Sequence, residues 1–467
     1  LKRDLFLPIF AIAAFAPTPA TAQEGADVAA LRAEISRMRS QLEQLEARLG
    51  KIEDGKSQDG KAGATRGAEA VAVVAATAAE QPNAQLAAAP APVVALPASA
   101  VPPSSVSAVT IKPRGRLQFD TNYISRPDGM TPPTLGWSTD VRRAFLGVDG
   151  KLGGGFGFRL EVDFAPGTPQ FTDNWLTYEN GPLTVTLGNH RLTTLEDLTS
   201  DLETSFLERS AFVGAFGFER RIGLSFAYVK GSVMLNVGAF SDDPDTLGAT
   251  GVTANSYALD SRFVFMPKLG GTQFHLAGSL HHRELNDVTT SLRYRARPGA
   301  RTTDVRFVDT GTFSATAETG YGLEFAAIHG PVHVASEAFW QKVERPNLAT
   351  PTFFGSYGEI GYVFAGGRTR SYKNGSFGSI KPTSGLDKGG SGAWQVNLRY
   401  DWLDLNSMGV NGGKQSTVGA SLVWVPIEHV KFLANYLRIN VSDTPVLAGA
   451  RSDYDADVIG LRAQYDF

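Results

Sequence analysis

Arg293, Arg295 and Arg297 alternate in the run Arg293-Tyr294-Arg295-Ala296-Arg297-Pro298. Alternate residues of an extended segment share a face, so three guanidiniums would stand in a row about 7 Å apart. Each is planar and permanently charged, with a fork of N–H donors that matches phosphate or carboxylate oxygens. A row of such forks lets an anion step between sites without falling into one deep well. Arg283, Arg301 and Arg306 lie nearby. The competing reading is a solvated surface loop that meets lipopolysaccharide phosphates or nothing. A second basic stretch holds Arg368, Arg370, Lys373, Lys381 and Lys388 against one acid, Asp387. Folded into a cavity it would add to an anion-attracting field; otherwise it is an ordinary basic loop.

The segment 189–210 has the opposite balance. It carries Glu196, Asp197, Asp201, Glu203 and Glu208 against Arg191 and Arg209. Acids exposed at a narrow neck would admit cations or zwitterions, whereas Glu208 and Arg209 in structural pairs would anchor the segment to a wall. No catalytic residue and no cofactor are expected. His281, His282 and Glu284 invite a metal reading, but neighbouring histidines on a strand point to opposite faces, so no metal site is expected. GxSxG, P-loop and HExxH patterns are absent, and with no cysteine a disulfide framework or thiolate metal site is excluded. A net charge of −3 argues neither for nor against nucleic acid, and no nucleic-acid partner is expected.

The elements that must position these groups are strands. Gly115, Leu117 and Phe119 alternate with Arg116, Gln118 and Asp120; Phe158, Leu160 and Val162 alternate with Arg159, Glu161 and Asp163; Trp394 to Trp402 repeats the pattern around Gln395, Asn397, Arg399 and Asp401. Leu461, Ala463, Tyr465 and Phe467 close the chain the same way against Arg462, Gln464 and Asp466. In a soluble sandwich the polar face would meet solvent; in a barrel it lines a lumen. Aromatic ends such as Tyr400, Trp402, Trp424, Tyr436 and Tyr465 favour the barrel, as do connectors that alternate between short and long. Sixteen such strands are read from residue 113 to the end, an even number that puts both barrel termini on one side. The connector 366–392 breaks the alternation, being long on the short-turn side. The lumen acids Glu161, Asp163 and Asp401 would be partnered by Arg159 and Arg399.

Ahead of the strands lie three other textures. Residues 1–22 read as a signal peptide: Lys2 and Arg3, an apolar core, then Ala20-Thr21-Ala22 as the cleavage site. Residues 23–53 carry apolar side chains at Val28, Leu31, Ile35, Met38, Leu42, Leu45, Leu49 and Ile52, a heptad spacing that implies a self-associating coiled coil. Its core mixture fits a trimer without fixing the order. Residues 54–110 are rich in Ala and Pro and read as a stiff linker.

Several segments resemble the phosphate-selective porin O/P family. Arg142-Arg143-Ala144-Phe145-Leu146-Gly147-Val148-Asp149-Gly150-Lys151-Leu152 resembles its early hairpin, followed by Arg159-Leu160-Glu161-Val162-Asp163-Phe164-Ala165. Leu195 to Ser200 and Phe206 to Ser210 resemble its third-loop motifs; Arg293 to Pro298 and Arg306 to Gly311 resemble its fifth loop; Gly375 to Pro382 resembles a segment before the closing strands. The resemblance covers 112–467. It implies a sixteen-stranded trimeric outer-membrane barrel with inward-folded loops, in which the triplet Arg293, Arg295 and Arg297 draws phosphate inward. The phosphate-specific members place lysines in the third loop, and this chain has none there, which departs from tight phosphate selectivity.

The expectation is therefore an all-β chain: a 16-stranded antiparallel transmembrane β-barrel over 111–467 in a bacterial outer membrane, with the N-terminal segment in the periplasm. Its function would be passive diffusion with a preference for small anions, phosphate or polyphosphate among them. Expected partners are two further copies in a homotrimer, outer-membrane lipid and lipopolysaccharide, and the barrel-assembly machinery through Phe467. The alternatives are a structural anchor tethering the membrane to the envelope through the coiled-coil stalk, or a non-selective general porin.

Overall fold

Residues 109–467, apart from 133, 245–255 and 287–289, are described by a computed structural model. The signal-peptide, coiled-coil and linker expectations lie outside these residues. The alternation of apolar and polar side chains is realised as sixteen antiparallel strands in one closed sheet. They are β1 Thr110–Ile124, β2 Gly136–Gly153, β3 Phe156–Asp163, β4 Asn174–Asn180, β5 Leu183–His190, β6 Arg221–Lys230, β7 Val233–Phe240 and β8 Tyr257–Phe265. The rest are β9 Thr272–Glu284, β10 Ala317–His329, β11 Val332–Glu344, β12 Thr352–Ala365, β13 Ala393–Ser407, β14 Val410–Ile427, β15 Val430–Ser442 and β16 Tyr454–Asp466. Each pairs with its sequence neighbour, and β16 pairs with β1, with Leu117 opposite Tyr465 and Ile124 opposite Val458. Closure removes every free strand edge.

The C-terminal residue completes the seam. Gly115 and Phe467 exchange backbone hydrogen bonds of 3.1 Å in both directions. A Cβ at Gly115 would stand 2.3 Å from the Phe467 ring, so only glycine lets the aromatic ring lie over the first strand.

The outward face is apolar and open, with Phe119, Leu146, Leu160, Leu276, Leu398, Val418 and Leu461 all exposed, while Gln118, Asp120, Glu161, Arg399 and Arg462 on the inward face are buried. Toward the end remote from the termini this polarity inverts. Leu403 and Leu405, Leu437 and Ile439, and Ala456 and Val458 turn inward, while Asp404, Arg438, Asp455 and Asp457 turn outward. The inward apolar ends meet the loops that fill the lumen there. Phe206, Phe212 and Phe216 of the third loop and Tyr294 and Phe307 of the fifth join Phe339, Phe353, Leu403 and Ile439 in one buried cluster.

Two connectors bear on the sequence expectation, and one of them departs from it. The link between β13 and β14, expected to be long, is the two-residue turn Met408–Gly409, because both strands extend to meet at it. The link 366–392 is long, as read, and carries a hairpin of Gly367–Lys373 and Ser376–Pro382. Its stem is pinched: a Cβ on Gly366, at φ +64°, would sit 1.7 Å from the Gly392 carbonyl oxygen.

Candidate functional site

The third loop, 191–220, leaves β5 and crosses the lumen. Its charged groups explain the path, because four of its six acids meet an arginine of the wall or of the loop itself. Asp201 pairs with Arg116 of β1 and Arg143 of β2. Glu208 pairs with Arg142 of β2 at 2.5 Å and Arg462 of β16 at 3.4 Å. Glu196 accepts from Arg399 of β13 at 3.0 Å and from the backbone N–H of Ser210. Asp197 takes Arg191 at 2.7 Å and the Thr193 hydroxyl at 2.9 Å. Lys431 of β15 donates to the carbonyls of Leu202 and Thr204, and Gln464 of β16 also donates to Leu202. Burial opposes ionisation of Asp201, yet Arg143 and Arg116 hold its carboxyl well below the usual range. Arg142 and Arg462 do the same for Glu208. Glu203, near Arg370 and Lys431, is pushed up by burial.

Glu196, Asp197, Asp201 and Glu208 therefore anchor the loop, while Glu219 faces the lumen. Of the two residues expected to anchor the loop to the wall, Glu208 reaches it, whereas Arg209 donates to the carbonyls of Glu196 and Thr199 at 2.8 and 2.7 Å, locking the loop's own turn.

A β-bulge supplies two of the wall cations. The β1–β2 ladder pairs Gln118 with Arg143 but Phe119 with Val141, leaving Arg142 unpaired. Consecutive residues then both turn into the lumen, which strict alternation forbids. Arg142 reaches Glu208, and Arg143 reaches Asp201 and the Gln118 side-chain oxygen.

What remains open of the lumen is lined by arginine. A chamber of about 520 Å³ on the terminal side of the third loop is faced by Arg114, Arg116, Arg143, Arg159, Arg191, Arg209 and Arg220, with Asp173 and Asp201 as its carboxylates. A second chamber of about 420 Å³ lies between the third and fifth loops and is faced by Arg142, Arg191, Arg209, Arg295, Arg297 and Arg306, with Asp197, Glu208 and Glu219 as its carboxylates. Arg191 and Arg209 belong to both, so they stand where the chambers meet. Burial, with Arg220 and Arg209 close by, pulls Arg191 down to about 10 despite Asp197. Arg306 is likewise lowered to about 10 by burial and by Arg297 and Arg295. Both remain full cations at neutral pH.

The arginine triplet divides. Tyr294 and Ala296 are buried in the lumen cluster, and the arginines take the other face of the segment, as the alternation predicts. Arg295 and Arg297 face the outer chamber, and among the described residues neither forms an ion pair. Arg293 does not line it; at 45% side-chain exposure it pairs with Asp309 at 2.5 Å. Arg301 is spent on the Arg142 carbonyl at 2.9 Å and stands 3.9 Å from Asp140.

The 367–382 hairpin folds into the lumen but does not present its arginine there. Arg370 is buried, 3.4 Å from Glu359 of β12, and donates to the Glu203 carbonyl and the Ser205 hydroxyl of the third loop. Tyr372 shares a 2.6 Å hydrogen bond with His275 of β9, and the Gly375 carbonyl accepts from Arg262 of β8. The hairpin is thus a prop beneath the third loop. Arg368 and Lys373 are exposed, and Lys381 pairs with Glu428. The strand acids are partnered differently from expectation: Glu161 takes Arg114 and Arg116, Arg159 takes Asp149 and Asp173, Asp163 accepts backbone N–H groups of Ala144 and Ala165, and only Asp401 keeps its predicted Arg399.

The sequence reading passed over Arg114, Arg116, Arg142, Arg143 and Arg220. Arg114 and Arg116 had the same signal as the triplet, alternate arginines on one strand face; Arg142 was hidden by the bulge.

Residues 111–467 match the family model of phosphate-selective porin O and P. The chain belongs to this family. This porin is 39% identical to a protein of Caulobacter vibrioides described only as uncharacterized, over 97% of this chain and 94% of the relative. Its barrel resembles two solved outer-membrane proteins, each at 12% identity and a TM-score of 0.50, covering 77% of this chain and 100% of the other: OmpT of Vibrio cholerae in trimer form and the anion-selective porin of Comamonas acidovorans. The porin family and the closed barrel make this an outer-membrane protein.

Proposed function

We propose that the porin is a passive channel preferring small anions, phosphate among them. The observation that carries this is the meeting of two arginine-lined chambers at Arg191 and Arg209, where arginines outnumber carboxylates and four of the six third-loop acids are held in ion pairs. Arg295, Arg297 and Arg306 collect anions at the outer mouth, Arg191 and Arg209 replace lost hydration at the junction, and Arg114, Arg143 and Arg220 continue the path inward. The pore is narrow because two buried plugs, the third loop and the 367–382 hairpin, fill the rest of the lumen. With arginine and no lysine along the path, selectivity among anions is broader than a phosphate-specific channel requires. A reversal potential in a KCl gradient across a planar bilayer tests the reading: an anion-selective sign is expected, and a cation-selective one overturns it.

The barrel also carries a reason to assemble. A tilted transmembrane strand needs about 9–11 residues. β3, β4 and β5 have 8, 7 and 8, whereas β9 to β16 have 13 to 18. The short wall leaves loop backbone at a depth that lipid does not tolerate. Two further copies in a homotrimer would cover it, with the termini and the N-terminal segment on the periplasmic side.

A further inference from the structure

The terminal-side chamber is not built of donors alone. Trp175 of β4, Phe145 of β2, and Leu192 and Leu198 of the third loop line it beside the arginines. Hydrated phosphate gains nothing from these surfaces. Arg159 lies over one face of the Trp175 indole at 4.8 Å, and His190 meets the ring edge-on at 6.4 Å. Other arginine–aromatic stacks in this lumen, Arg399 on Phe206, Arg370 on Phe377 and Arg116 on Phe145, use rings that are buried. Trp175 is half-buried and its remaining surface faces the chamber. Close to it, Arg220 is bound to Asp173 through Nε, and Arg191, next to His190, is bound to Asp197 through one terminal nitrogen. Each turns the rest of its donor fork to the same chamber.

We propose that this chamber is a binding site for organic anions that carry a flat apolar body, with aryl carboxylates as the simplest class. The carboxylate takes the open donor edges of Arg191 and Arg220, and the ring lies against Trp175 with Leu192 and Leu198 beside it. A volume of about 520 Å³ accommodates such a molecule. The inference rests on the anion-channel reading and narrows it to a solute class.

The test uses the full-length protein in planar bilayers, with benzoate, acetate and phosphate added in turn as blockers of the chloride current. Benzoate is expected to half-block at a concentration about three- to tenfold below that of acetate, the range an aromatic contact supplies. In Trp175→Leu, which retains bulk, the benzoate-to-acetate ratio should fall toward one; in Trp175→Phe, which retains a ring, most of it should survive. An anion-selective channel that benzoate and acetate block equally overturns the solute class alone. A benzoate preference unchanged in Trp175→Leu overturns the assignment to this chamber. A cation-selective reversal potential overturns the anion reading and this inference together.

Discussion

Charge at single residues sets what the pore attracts, and type matters as much as sign. Arg191 and Arg306 are lowered to about 10. A cation lowered to that value is fully charged below about pH 9 and loses charge as pH rises through 10. Anion selectivity should therefore be level from pH 6 to 9 and decline above 10, as read by reversal potentials over a pH series; a decline beginning near neutrality would assign the field to other groups. Among the described residues Arg295 and Arg297 form no ion pair, so Arg295→Ala with Arg297→Ala should lower the anion-to-cation permeability ratio severalfold. Arg293→Ala should change it little, since Arg293 is balanced by Asp309. The triplet was legible as three forks on one face, because strand alternation is local. Its division was not, because Asp309 lies sixteen positions from Arg293 and only the folded loop brings them together.

Elements decide how much lumen is left open. Arg370 ties the 367–382 hairpin to Glu359 and to the third loop from a fully buried position. Removing one partner of a buried, hydrogen-bonded ion pair costs about 3–5 kcal/mol. Arg370→Ala should loosen both plugs, raising single-channel conductance and open-state noise and exposing the third loop to protease in membranes. All sixteen strands were legible, since each carries its own period-2 pattern. The plugs were legible only as unusual loop composition. Leu403 and Leu405 show what a closer reading could catch: the apolar residues switch faces where β13 meets the lumen core, and Asp404 takes the outward side. The Arg142–Arg143 bulge defeats any strictly alternating reading, because its geometry belongs to the pairing of two strands and not to either one.

At the scale of the molecule the wall is uneven, low at β3–β5 and tall from β9 to β16. Leu176→Arg and Leu187→Arg place a charge on outward positions of the low wall. Each should shift the proposed trimer to monomer in size-exclusion chromatography with detergent, while the same charge at Val418 on the tall wall should impair membrane insertion with less effect on assembly state. The closing seam has a further consequence. Arg116 and Gln118 of β1 hold Asp201, Arg462 and Gln464 of β16 hold Glu208 and Leu202, and Asp120 bridges the two strands to Arg462 at 2.7 Å. One loop thus clasps the first and last strands from inside. Opening the seam would therefore break the loop's anchors on both strands, so the plug and the closure of the cylinder stabilise each other.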